Sequence, residues 1–401
     1  MRKFLFKKLS YVCVSLLFIT VFSCDNLDIS STQADSFIKL FGSWSTDIGN
    51  DVKPFNNGYI VLATITSQDA NYTDIALIQT DKFGNQLGDI DTIDGGGNDL
   101  ASKLLLTNDG GFIIIGTLED TLNDNEDILL AKYDASAELE WQKTIGSSAN
   151  EQGISIKATQ TGFIIAGNTD KSDLVTGNTT GTWDIYLVKT DETGNIEWEN
   201  NFGANGTDKS SDIILHNNGY LIIGVSNSFN ESGQGGNDII AIKTNSTGGE
   251  TDKFTYGSIF NDYGSSVLEA DDGFVIVGSV ENIAGSNSDM YVLKVDKNDL
   301  QNIIWNKSFG KTLDDSGYDI LKSGENIKII GSQGNISGSY AYCLTIDNEG
   351  NSIEEKLYGG YNQVLYSFEP AYDGGYIMVG SSGQEGNEQI CLIKVNALGE
   401  L

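Results

Sequence analysis

Apolar residues along this chain gather in short runs such as "GYLIIG", "GFVIVG" and "FIIIG", separated by small polar turns. A run with no polar alternation reads as a strand whose two faces are both covered. Such runs belong to a recurring unit of four strand signals. In one copy "SSDIILHNNG" predicts strand a, "GYLIIGVS" strand b, "DIIAIKTN" strand c and "GGETDKFTYG" strand d. The a-to-b turns use "NNG", "NDGG", "ADDG" and "YDGG", and the c-to-d turns use "DETGN", "DKFGN" and "DNEGN". Both sets supply the positive-φ positions that tight hairpins need. The two prolines in 401 residues agree with sheet almost throughout.

Two landmarks set the period. An aromatic or aliphatic residue precedes glycine at Gly42, Gly146, Gly203, Gly257, Gly310 and Gly359, with Gly95 in the same slot of the second copy. Exactly spaced from these, 21 residues later, stand Ala63, Gly116, Gly167, Gly224, Gly278, Gly331 and Gly380. Successive copies lie 53, 51, 57, 54, 53 and 49 residues apart, a period that points to a propeller. The last copy stops after its c-to-d turn, while "SFIKLFG" near the start carries Phe37 five residues before Gly42. Trp141, Trp198 and Trp305 keep that same distance from Gly146, Gly203 and Gly310. The expected fold is therefore all-β: a seven-bladed β-propeller of four-stranded antiparallel blades over residues 36–401, closed by an N-terminal outer strand in the last blade. Closure removes the exposed sheet edges of an open stack.

The start of the chain reads as an address. Arg2, Lys3, Lys7 and Lys8 precede an apolar run from Leu9 to Phe22, too short to span a bilayer permanently. The run ends in "VFSC", which resembles the lipobox of bacterial lipoproteins. That resemblance implies a signal peptide at 1–23, acylation of Cys24 and a tether at 24–35. Removing the leader leaves 20 Lys+Arg against 56 Asp+Glu, a charge of −36. Such a surface repels nucleic acid and anionic headgroups. The repeats resemble those of β-propeller lipoproteins from Bacteroidota-like bacteria. The phrase D-x-x-G-N-x-x-W, Asp191 to Trp198, is also similar to the quinoprotein-like propeller repeat, whose cofactor and metal residues find no matching set here. The resemblance implies a protein anchored in the outer membrane by its lipid. Its expected partners are the membrane and an envelope protein or a glycan.

Cys343 and Cys391 fall inside apolar strand patterns, where buried free thiols are the ordinary reading and a disulfide the alternative. Length varies most between strands b and c, so the b–c loops carry the insertions, and in a propeller these share a face with the d–a loops. Five residues after the d-strand glycine stands an acid in five copies: Asp47, Glu151, Asp208, Asp262 and Asp315. They mark the start of strand a, beside the expected channel. A carboxylate ring there would take a cation or a hydroxyl-rich ligand; the competing reading is that each caps loop amides. Asp74, Asp127, Asp184, Asp238 and Asp289 open strand c and read as turn formers. "DGGGND" and "GQGGND" suit calcium in composition without a full ligand loop. Trp44 and Trp183, with Phe229, lie in or beside loops of the variable face and are candidates for glycan contact. No cofactor is expected. His216, the single histidine, sits in an a–b hairpin with no nucleophile pattern around it. A count of one excludes the usual Cys/His zinc sites. The expected function is a non-catalytic binding or scaffolding module for protein partners. A surface carbohydrate-binding module is the alternative, and a carboxylate-dependent glycan enzyme comes third.

Overall fold

The computed structural model describes residues 36–401 apart from 68–71, 172–181, 230–235, 282–286, 312 and 337, with backbone alone for 43 and 44. The leader, the tether and Cys24 lie outside the described residues. Seven four-stranded antiparallel sheets follow one another along the chain, and no helix occurs among the described residues. Blade 1 runs β2 (Ile48–Phe55), β3 (Gly58–Thr66), β4 (Thr73–Asp81) and β5 (Asp91–Ile93) from inner to outer strand. Blade 4 repeats it as β14 (Asp208–His216), β15 (Gly219–Ser226), β16 (Asp238–Asn245) and β17 (Glu250–Tyr256).

Blade 7 takes its outer strand from the other end of the chain. Its order is β1-β28-β27-β26, with β1 (Phe37–Ser45) paired to β28 (Asn387–Val395), Phe37 opposite Lys394 and Phe41 opposite Ile390. The expected closure is thus observed. Apolar residues form seven buried clusters, one between each pair of neighbouring blades. The cluster at the seam joins Val379, Ile390 and Leu392 of blade 7 to Val52, Val61 and Ile78 of blade 1, with Phe37 and Phe41 packed against it. Each such side chain stabilises the ring by roughly 1.5–3 kcal/mol when fully buried. Because both faces of strands b and c are covered, their runs carry no polar alternation: all eight residues of β11 (Gly162–Thr169) are buried.

The repeated phrases now have physical causes. In six of the seven blades the Asp or Asn that begins the c–d turn accepts backbone N–H groups two and four residues on, as Asp191 does from Thr193 and Asn195 and Asp347 from Glu349 and Asn351; the longer turn at Asp296 keeps only the first, from Asn298. The turn glycine then meets the d-strand aromatic of the preceding blade. A Cβ on Gly194 (φ +77°) would lie 2.9 Å from the Trp141 ring, and one on Gly350 equally close to Trp305. Gly84 makes the same contact with Phe37, so the seam strand uses the ordinary blade-to-blade joint. Pro54 and Pro370 both lie on innermost strands, near the hairpin end, where one edge needs no ladder donor.

Candidate functional site

Every innermost strand carries a register shift at the same place, for example between Gly49 and Asp51, Ser210 and Asp212, and Gly317 and Asp319. A bulge adds one unpaired residue and bends the strand. The extra residue in each blade borders a cavity of about 520 Å³ at the channel mouth, on the side of the d–a loops. Asn50, Ser102, Ser211 and Ser265 give its wall hydroxyl and amide groups, and Ile48, Ala101 and Ile154 give it apolar surface. Tyr318 and Tyr366 complete it as an edge-to-face pair with ring centres 5.1 Å apart. The b-strand glycine stands across from the bulge: a Cβ on Gly224 would meet the Lys209 carbonyl at 1.9 Å.

Directly beyond the bulges the channel is filled by charge. Asp51, Asp212 and Asp319 occupy one position of the repeat, Ser155, Ser266 and Ser367 the same position in other blades, and Lys103 the seventh. Ser367 Oγ donates to Asp51 at 2.5 Å, and Leu104 N–H of the next blade donates at 2.7 Å. Asp212 accepts from Ser155 Oγ (2.8 Å) and Ser266 Oγ (3.0 Å), which flank it on either side. Asp319 shares the single Ser266 hydroxyl proton with Asp212 and accepts Phe368 N–H. Lys53 bridges Asp51 and Glu369, and Lys157 lies 3.6 Å from Asp212. What remains is a cavity of about 140 Å³.

These groups set one another's ionisation. Burial pushes the Asp51 carboxyl up, but Lys53, Lys103 and the bonds from Ser367 and Leu104 outweigh it and hold it below its ordinary value. Asp212 is held low in the same way by Lys157 and Lys103. For Asp319 and Glu369 burial prevails over the lysines and both are raised. Lys53 is raised against its own burial by Asp51 and Glu369. The belt is a mutually compensated network that crosses every blade junction it touches.

The five acids expected beside the channel border neither of these two cavities, and their hydrogen bonds match the loop-capping reading. The bulge three residues further on turns side chains to the axis, whereas these carboxylates stay between blades under the d–a loops. Asp47 accepts Thr66 N–H, Glu151 accepts Ser147 N–H and Oγ, and Asp208 accepts Ala204 N–H and Ser228 Oγ. Asp262 accepts Ser258 N–H, and Asp315 accepts Lys311 and Gly334 N–H. Asp99 holds the same place, accepting Gly95 and Glu119 N–H. The sequence reading missed it because its loop is one residue shorter; alignment on the start of strand a, rather than on the glycine, finds it.

Opposite Glu151, Asp208, Asp262 and Asp315 stands the acid that opens strand c of the preceding blade; opposite Asp47 that position is Gln389. A Cβ on Gly146, Gly203, Gly257 or Gly310 would fall 1.8–2.1 Å from Oδ1 of Asp127, Asp184, Asp238 or Asp289. The d-strand landmark is glycine because a carboxylate occupies the space. Burial and the facing acid raise Asp127 and Asp238, the latter to about 6. At the corresponding place between blades 1 and 2, Asp74, Asp94 and Asp99 bring one oxygen each within 4.8 Å of the others.

Among the aromatic candidates, the Trp44 side chain lies outside the described residues, as does most of the loop before Trp183. Trp183 is half-buried with Lys209 Nζ 4.1 Å over its ring, and Phe229 carries Lys253 Nζ at 3.9 Å. One face of each is therefore already covered by a cation. His216 is buried, bonded to Glu269 and Asn217 and set edge-on to Phe274. Cys343 and Cys391 are both free and buried.

Comparison with known proteins adds the fold and little else. No family model matches the chain. A stretch of 179 residues, 40% of the chain, is 24% identical to the regulatory protein FlaEY of Caulobacter vibrioides, and spans 19% of that protein. The β-propeller domain of the Trilobed protease from Pyrococcus furiosus, described as having an open velcro topology, is similar with a TM-score of 0.50 and 9% identity. That match covers 88% of this chain and 97% of the other. Acylaminoacyl peptidase of Pyrococcus horikoshii is similar at TM-score 0.50 and 11% identity over 90% of this chain, which spans 52% of the peptidase. The chain is a β-propeller with distant structural neighbours.

Proposed function

We propose that this protein is a lipid-anchored lipoprotein of a Bacteroidota-like cell envelope, whose propeller is a non-catalytic platform for a protein partner. The observation that carries the reading is the contrast along the axis. Below the bulges the charged groups satisfy one another, while above them a cavity of about 520 Å³ opens among the d–a loops. A closed ring with a concave mouth of mixed polar and apolar lining suits recognition. The channel acids, being engaged with lysines, serines and amides, are poorly placed for turnover. The leader pattern ending at Cys24 supports an anchor in the outer membrane. Phe37 enters the ring on the side of the c–d turns, since it pairs with Lys394 near the end of β28. An anchor preceding it then leaves the variable face pointing away from the bilayer.

The test is co-purification of full-length protein from membranes, comparing wild type with a Tyr318→Ala/Tyr366→Ala double variant. The expected result is loss of the partner with an unchanged melting temperature; equal recovery from both would refute recognition through the mouth. Substitution Cys24→Ala is expected to abolish incorporation of labelled palmitate. The three serines, the asparagine and the tyrosine pair of the mouth favour one second reading, a carbohydrate as ligand, which a glycan array on the same variant would separate from the first.

A further inference from the structure

The slot between blades 4 and 5 holds two buried carboxylates that face each other across the Cβ position of Gly257. Asp238, 1% exposed, opens β16, and its Oδ1 accepts no hydrogen bond. That oxygen lies 2.1 Å, and Asp262 Oδ2 lies 2.6 Å, from where a methyl group on Gly257 would stand, so the two oxygens share the space of a single small group. Asp262, fully buried, opens β18 (Asp262–Glu269) of the next blade. Its Oδ2 accepts Ser258 N–H. In Asp47, Asp99 and Asp315 the other oxygen takes an N–H from strand b; at the matching place here Glu281 N–H is donated to Asn261 O and also steadies the Asp262 carboxylate, so the oxygen left without a donor is Asp238 Oδ1.

A buried carboxylate oxygen without a donor is costly, and a second carboxylate beside it raises the cost. Proteins meet it with a donor, a proton or a metal ion. We propose that this slot binds one divalent cation of the calcium class, ligated by Asp238 and Asp262, which joins blade 4 to blade 5. Two carboxylates balance the charge of such an ion, and hard oxygen donors are what it takes. Burial and the Asp262 charge, which push the Asp238 carboxyl up to about 6, act in the direction a cation would relieve. Gly257 keeps the space open, because any side chain there would collide with both oxygens.

The experiment uses chelator-treated full-length protein at pH 7.5 and 0.15 M KCl, melted with and without 1 mM calcium chloride. Wild type is expected to gain about 2 °C or more in Tm. Asp238→Asn should melt no lower than wild type in chelator, since it removes the repulsion, and should gain nothing from calcium. A direct probe runs in parallel. Terbium bound in the slot is excited through Tyr291, whose hydroxyl lies close enough to feel the Asp262 charge. Tyr291→Phe, which leaves both carboxylates in place, should dim that emission and leave the calcium shift intact. No calcium shift in wild type means the pair shares a proton and overturns the proposal. A shift that survives in Asp238→Asn, or emission undimmed in Tyr291→Phe, places the ion elsewhere and overturns it equally.

Discussion

At the scale of residues, burial decides reactivity. The thiols of Cys343 and Cys391 are pushed up by burial to about 11 and about 12. The thiolate is the reactive form, so neither should react with a disulfide reagent in the native protein. The expected result with Ellman's reagent is no release from either until denaturant unfolds the ring, then both at once. Asp51 and Asp212 control the acid limb of stability. Their folded pKa values lie below the ordinary 3.8, so the stability they contribute is fully present above about pH 4 and is lost as pH falls through the lower folded values. Asp319 and Glu369, raised by burial, act oppositely: their contribution is present at low pH and declines as pH rises through their folded values. Asp51→Asn should therefore cost stability at pH 7 and flatten the decline below pH 4, measured by urea melts across that range. None of this network was legible in the sequence. Its members differ from blade to blade, as Asp51, Lys103 and Ser155 do, so they leave no repeat signal, and their partners become neighbours only once the ring closes.

At the scale of elements, the joint between blades is a turn glycine under an aromatic ring. Gly194 combines a positive φ with a Cβ position 2.9 Å from Trp141. Gly194→Val should destabilise by about 1–3 kcal/mol through strain and overpacking. Gly360→Ala, with nothing within 4 Å of its Cβ, is the control and should stay within about 0.5 kcal/mol of wild type. Chemical denaturation of the two variants checks the contrast. Blades were readable because this joint, the capped turn and the covered central strands impose the same residues each time. The acids at the strand-a starts were readable as a set. Their direction was not, since a bulge three residues away decides which side chains reach the axis.

At the scale of the whole molecule, the ring depends on β1. Without it, the backbone edge of β28 from Ile390 to Lys394 would be bare, flanked by apolar residues. A variant lacking residues up to Phe41 should lose monodispersity, seen as higher-order species in size-exclusion chromatography with light scattering. The seam was the feature most plainly written in the chain, because Phe37 keeps the same five-residue distance from its glycine as three tryptophans do. It also carries a mechanical consequence. Tension applied ahead of Phe37 is taken first by the strand that latches the circle, whose pairs run from Phe37–Lys394 to Phe41–Ile390. A load directed along that strand shears all of these pairs together, the direction in which such a clasp grips best, whereas a load across it opens them one by one.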